Sequence, residues 1–308
     1  MLRHIVSASQ FDKKTLEKIF STASKIKSGN YSPKTLSGKI MATLFYEPST
    51  RTRLSFESAM LRLGGTVIST EDAKLFSSAA KGETLEDTIR IVHSYSDVIV
   101  LRHFDSGASE IASKYSRVPI INAGDGNGEH PTQALLDMFT IFSKFTTKNL
   151  TICMIGDLAN GRTIHSLSYL LSLYPQIKLI FVSPKALAIP IDLKNHLKAK
   201  KIEFRETEDL NKSIKISEVV YQTRIQKERF KTKKDYLKYF GKYILDESSL
   251  KILKKSSVIM HPLPRVNEIS KEVDTDPRAI YFEEAQNGVY IRMALLILLF
   301  DKPHPKPR

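Results

Sequence analysis

Short, nearly continuous runs rich in Val and Ile alternate with segments of helical periodicity along almost the whole chain. "KIMATLFYE", "TVIST", "DVIVLRH" and "VPIINAG" read as strands in the first half. "NLTICMIGD", "IKLIFVSP", "SEVVYQTR" and "SSVIMHPLPR" do so in the second. Runs without polar alternation belong to strands covered on both faces. Between them, "FDKKTLEKIFSTASKIKSG", 50–63, "ETLEDTIRIVHSYS", "HPTQALLDMFTIFSKF" and "RTIHSLSYLLSLY" read as helices. This alternation predicts an α/β chain of parallel sheets flanked by helices. Its 308 residues suffice for two domains. The helix at 131–145 would bridge them. The apolar helix at about 285–300 must bury itself and could pack back on the first domain.

Composition narrows the class. Hydrophobic residues make up 42%, enough for a real core. The longest apolar run, "VYIRMALLILLF", is too short to span a bilayer and carries Arg292. The N-terminal "MLRHIVSASQFDKK" lacks the apolar stretch and cleavage site of a signal peptide, so a cytoplasmic protein is expected. The lone Cys153 permits no internal disulfide and no cysteine-rich zinc site. The net charge of +14 raises nucleic acid as a partner. The lysines are spread widely, apart from a patch at 226–242, and no nucleic-acid motif accompanies them. A solvated basic surface, or one that draws small anions into a cleft, fits better. No metal, cofactor, nucleic acid or membrane is expected.

The polar stretch "EPSTRTR" lies between a strand and a helix. In an open parallel sheet, ligands bind beyond the carboxyl ends of strands. A helix N-terminus there offers unpaired N–H groups and a positive dipole end. Ser49, Thr50 and Thr52 add hydroxyls, and Arg51 adds a planar cation suited to phosphate. Helix capping accounts for one hydroxyl. Three hydroxyls around an arginine point to a phosphate site, although the turn is no Walker loop. Arg102 ends another strand. "AGDGNGEHPTQ" is a flexible glycine loop running into His130 and Gln133 at a helix start. In "MHPLPR", Pro262 and Pro264 lack N–H donors, so that turn presents carbonyls.

"STRTR", "HPTQ" and "HPLPR", in this order and at these separations, resemble the aspartate/ornithine carbamoyltransferase family, its aspartate branch in particular. "KGET", "GDLANGRT" and "TRIQKER" add to the likeness, which covers nearly the whole chain. The resemblance implies a carbamoyl-phosphate-binding domain, 1–133 with 286–308, and an aspartate-binding domain, 134–285. It implies attack of the aspartate amine on carbamoyl phosphate through a tetrahedral intermediate. N-carbamoyl-L-aspartate and phosphate would form without a covalent enzyme intermediate, the committed step toward pyrimidines.

Carried over by motif, Ser49, Thr50, Arg51 and Thr52 would hold the phosphate. Arg102, His130 and Thr52 would polarise the carbamoyl carbonyl. Gln133 and the carbonyls of Leu263 and Pro264 would hold the carbamoyl amide or the amine. Arg162 and Arg224, assisted by Gln226, would clamp the aspartate carboxylates. Glu47 would brace Arg162 and Arg229 when the domains close. The loop "AKLFSSAAKGET" matches one that enters a neighbouring subunit's site. It would supply Ser77, or Ser78, and Lys81 from a homotrimer. Asn267 stands where many relatives carry Asp. A separate zinc-containing regulatory chain, with allosteric control, is left open as a partner. Two rival readings remain. Ornithine carbamoyltransferases share the phosphate turn but typically carry a cysteine in both motifs that here read "HPTQ" and "HPLP". A catalytically silent scaffold or nucleic-acid binder would show a missing site residue, and none is missing.

Overall fold

The computed structural model describes residues 2–71, 82–225, 230 and 232–301. The chain divides into two compact units, Met1–Leu135 with Asn287–Arg308, and Leu136–Gln286.

The first unit carries strands β1 (Ile40–Phe45), β2 (Thr66–Glu71), β3 (Val98–His103) and β4 (Ile120–Asp125). Its helices are α1 (Lys13–Lys27), α2 (Thr50–Arg62), α3 (Leu85–Val92) and α4 (Ala108–Tyr115). The helix α5 (Pro131–Lys144) follows, with the unit boundary inside it. The sheet is parallel, in the order β2-β1-β3-β4. Every residue of β3 and β4 is buried, as strands covered on both faces require. On one face Leu44, Ile99, Leu101 and Ile120 pack with Ile89 of α3 and Ala112 of α4. Each such side chain contributes about 1.5–3 kcal/mol when buried. Asp12 caps α1 through Thr15 N–H at 2.7 Å, and Leu16, Ile19, Ala23 and Ile26 form its buried stripe.

The second unit carries β5 (Thr151–Ile155), β6 (Lys178–Val182), β7 (Glu203–Thr207), β8 (Val219–Gln222) and β9 (Val258–Met260). The helices α6 (Arg162–Leu171), α7 (Ile191–Ala199), α8 (Leu210–Ile216), α9 (Lys233–Leu237) and α10 (Glu247–Ile252) accompany them. Its parallel sheet runs β7-β6-β5-β8-β9. Cys153, Ile155, Val182, Val220 and Ile259 form a core with Ile214 of α8. Burial raises the Cys153 thiol pKa well above its usual value, so this residue behaves as a small core hydrophobe.

The last helix, α11 (Tyr281–Phe300), starts in the second unit and belongs to the first from Asn287 on. Within the first unit, Asn287 accepts a hydrogen bond from Lys27 at 3.1 Å. Arg292, only 3% exposed, sets its guanidinium 4.9 Å from the Phe56 ring centre. That cation–π contact shows how an arginine is housed in so apolar a helix. Among the described residues, no helix is long and apolar enough to cross a membrane, and no group of three His, Cys, Asp or Glu is placed to hold a metal.

Candidate active site

In the first unit, β2 lies on one side of β1 and β3 on the other. The connections leaving β1 and β3 therefore diverge and open a crevice at their carboxyl ends, the place where open sheets bind ligands. The hydroxyl-arginine turn follows β1, and Arg102 stands near the end of β3, paired in register with Phe45. Ser49 occupies the N-cap of α2 but makes no side-chain capping bond, and no acidic residue stands in the first helical turn. The capping explanation of the hydroxyls is thus not realised. Thr50 and Arg51 are exposed, while Thr52 is buried. Arg53 is occupied elsewhere, 4.0 Å from Glu57 and within reach of Ser69.

Arg102 is buried, donates to the Ala123 carbonyl at 3.1 Å and lies 2.8 Å from the Glu47 carboxylate. Glu47 thus holds Arg102 within its own unit. His130 is buried immediately before α5, and its carbonyl accepts the Gln133 N–H at 3.0 Å. The preceding glycine loop is more constrained than the flexible loop its composition predicts. Asp125 accepts from Gly107 N–H at 2.9 Å and from Glu129 N–H at 2.8 Å. Glu129 accepts from the Ser7 hydroxyl at 2.6 Å. Gly126, at φ +44°, approaches the Phe104 carbonyl where a Cβ would sit at 2.5 Å. Sequence reading missed Asp125 and Glu129 as positioning residues. Their only signal was two carboxylates interleaved with glycines before "HPTQ".

The second unit repeats the logic. β6 and β7 run off one side of β5, while β8 lies on the other. Arg162, half-buried, opens α6 beyond the end of β5, and Arg224, also half-buried, follows β8. Two cations thus flank the switch point. The strands approach closely there: Gly156, at φ +124°, would place a Cβ 2.4 Å from the Thr223 carbonyl. Thr223 in turn donates its N–H and hydroxyl to Ile155, each at 2.8 Å. The turn before Arg162 is folded by Asp157, which accepts from the Asn160 backbone N–H at 3.1 Å and its side-chain amide at 3.0 Å.

"HPLPR" follows β9. The Leu263–Pro264 bond is cis, and Leu263 has φ +54°. A left-handed backbone at Leu costs about 1–3 kcal/mol and must be held from outside. His261 does this: its Nδ1 accepts the Leu263 N–H at 2.8 Å, and its Nε2 lies 2.8 Å from Glu268 Oε1. Glu268 Oε2 accepts the N–H groups of Val266 and Asn267, both at 3.1 Å. Burial pushes the His261 pKa below its usual value, so the ring is neutral, with its proton on Nε2 directed at Glu268. Ser77, Ser78, Lys81, Gln226 and Arg229 lie outside the described residues.

Two family domains match the chain: the carbamoyl-P binding domain of the aspartate/ornithine carbamoyltransferases over residues 3–143, and their Asp/Orn binding domain over 148–299. The chloroplastic aspartate carbamoyltransferase of Arabidopsis thaliana is 53% identical over 97% of this chain and 78% of its own. The aspartate carbamoyltransferase catalytic subunit of Clostridium novyi is 51% identical over 96% of both chains. Among solved structures, the catalytic subunit of the M. jannaschii aspartate transcarbamoylase superposes with a TM-score of 0.90 at 48% identity, covering 97% of this chain and 98% of that one. The Trypanosoma cruzi aspartate transcarbamoylase, solved with carbamoyl aspartate and phosphate, superposes with a TM-score of 0.89 at 42% identity, covering 96% of this chain and 95% of that one. The chain belongs to the aspartate/ornithine carbamoyltransferase family.

Proposed function

We infer that the chain transfers the carbamoyl group of carbamoyl phosphate to the amine of L-aspartate, the committed step of pyrimidine synthesis. The observation that carries the choice of aspartate is the placement of Arg162 and Arg224 beyond the ends of β5 and β8. Two guanidinium groups at one switch point suit a dicarboxylate. An ornithine side chain would bring its own cation to them. The named relatives at about half identity point the same way.

The chemistry needs little beyond positioning and charge stabilisation. The unprotonated amine of aspartate attacks the carbamoyl carbon, and the carbonyl oxygen takes up negative charge. Arg102, His130 and Thr52 stabilise that oxygen. Collapse of the tetrahedral intermediate breaks the bond to the phosphate oxygen. Ser49, Thr50, Arg51 and Thr52 hold the departing phosphate, and the nitrogen loses a proton to phosphate or water. Gln133 and the carbonyls of Leu263 and Pro264 orient the amide and the amine. Gln226 supports the aspartate clamp, and Glu47 and Arg229 support its arginines.

The same reading takes the working form to be a cytoplasmic homotrimer in which Ser77 and Lys81 serve the neighbouring subunit. A zinc-containing regulatory chain is a further partner to test by co-purification and nucleotide response. The primary experiment follows phosphate release from carbamoyl phosphate with L-aspartate or L-ornithine. Turnover with aspartate alone is expected, and turnover with ornithine overturns the assignment of the second unit. For the shared site, mixing impaired Arg51→Ala and Lys81→Ala subunits should restore part of the activity at low carbamoyl phosphate, because some mixed sites carry neither change.

A further inference from the structure

A chain of buried polar groups runs through the second unit, and no step above uses it. The Tyr221 hydroxyl donates to Asp137 Oδ2 at 2.7 Å. The Tyr221 oxygen is hydrogen-bonded by the hydroxyl of Thr163, the residue after Arg162. At the other end, Glu284 Oε2 accepts the backbone N–H of His261 at 2.8 Å, at the start of "HPLPR". Asp137 and Tyr221 are 0% exposed, and Glu284 is 1% exposed. The buried Asp137 and Glu284 carboxyls face each other, an arrangement that favours a proton on one of them. Glu284 Oε1 is buried and takes no hydrogen bond from a donor among the described residues. Burial, and then the Asp137 charge, push the Glu284 pKa well above the usual carboxylate range.

We propose that Thr163, Tyr221, Asp137 and Glu284 form a proton-sharing strut that fixes the "HPLP" turn relative to the N-terminus of α6, making Asp137 and Glu284 positioning residues for the aspartate substrate. The proposal rests on the reading of Arg162 and of the Leu263 and Pro264 carbonyls as aspartate-site groups. The strut reaches the turn through the backbone N–H of His261, the residue whose ring holds Leu263 in its left-handed conformation. It reaches the clamp through Thr163, one residue from the arginine. A shared proton satisfies both buried carboxyls without burying two charges side by side. The titratable groups facing Glu284 are Asp137 from α5 and, beyond it, Tyr221 from β8. Deprotonation of Glu284 places two negative charges against each other and pushes Glu284 off His261.

Glu284→Gln keeps the shape, can donate to Asp137 and can still accept from His261. Glu284→Leu keeps bulk and removes both bonds. The Gln variant should hold kcat and the aspartate KM within about threefold of the parent at neutral pH, and should lose any alkaline fall that the strut causes. The Leu variant should raise the aspartate KM about tenfold or more while carbamoyl phosphate binding, measured by calorimetry, stays unchanged; one buried hydrogen bond left unmade accounts for that factor. Difference infrared spectroscopy of the unliganded protein provides a readout independent of turnover. The C=O band of a buried protonated carboxylic acid should be present in the parent and absent in the Gln variant. A Leu variant with parental aspartate kinetics, a Gln variant as damaged as Leu, or a missing acid band each overturns the proposal. If the parent shows the band but turns over no aspartate, the functional reading has failed and the proton-sharing pair stands.

Discussion

The Glu47 carboxylate lies 2.8 Å from the Arg102 guanidinium, which also donates to the Ala123 carbonyl at 3.1 Å. The arginine is thereby held by two acceptors, with its side chain 10% exposed. A planar fork can satisfy both and still present an N–H to a substrate oxygen. The compact ammonium of a lysine cannot. Arg102→Lys should lower kcat about 100-fold, the usual loss when one preorganised donor to a developing oxyanion goes, with a smaller change in the carbamoyl phosphate KM. Steady-state kinetics with each substrate varied would measure both.

Arg51 carries the answer for the phosphate turn. It is exposed, in contrast to Arg53 beside Glu57 and Ser69. Charged hydrogen bonds are worth about 1.5–3 kcal/mol, so Arg51→Ala should weaken carbamoyl phosphate binding about 10- to 100-fold. Inhibition by inorganic phosphate should weaken in parallel, while Tm changes little because the substitution is at an exposed position. Calorimetric titration and a thermal melt would show whether the loss is confined to the ligand.

Much of this was legible in the sequence, for physical reasons. Strands covered on both faces announce themselves as Val and Ile runs, and β1, β3, β5 and β6 lie within the runs expected. β7 was not anticipated. Its "EFRET" lies at the sheet edge with every residue at least partly exposed, so it carries no apolar run. The helices α4, α7, α8, α9 and α10 are short and were missed for want of enough turns to show a period. The site arginines and hydroxyls stood out because they crowd at strand ends. Tyr221, Asp137 and Glu284 did not, because three residues spread over 84 and 63 positions meet only in the folded sheet. The Glu47–Arg102 pair was hidden for the same reason, since it depends on β1 and β3 lying side by side.

Gly156 sets how closely the ends of β5 and β8 approach. A Cβ there would meet the Thr223 carbonyl at 2.4 Å, and the residue sits at φ +124°. Gly156→Ala therefore meets both a steric clash with backbone and a conformation that alanine resists. Destabilisation of about 2–4 kcal/mol is expected in urea melts. The aspartate KM should rise more than the carbamoyl phosphate KM, because Arg162 and Arg224 hang on the two strands being pushed apart.

His103 gives the first unit a defined acid limit. Its ring lies between Tyr46 and Phe104, with centroids 4.8 and 4.2 Å away, and its Nδ1 accepts the Asp105 N–H at 3.0 Å. Burial lowers its pKa, against the opposing charges of Asp105, Asp125 and Glu47. A base with a depressed folded pKa releases a proton on folding. Its contribution to stability is full above the unfolded value of about 6.5 and is lost as pH falls through the folded value. His261 in the second unit is shifted in the same direction by burial. Stability should thus fall as pH drops below about 6.5. His103→Asn offers an oxygen in place of Nδ1 and does not titrate. The fall in stability between neutral and mildly acidic pH, followed by urea denaturation, should be shallower in that variant. An unchanged slope would mean that His103 titrates alike in the folded and unfolded chain.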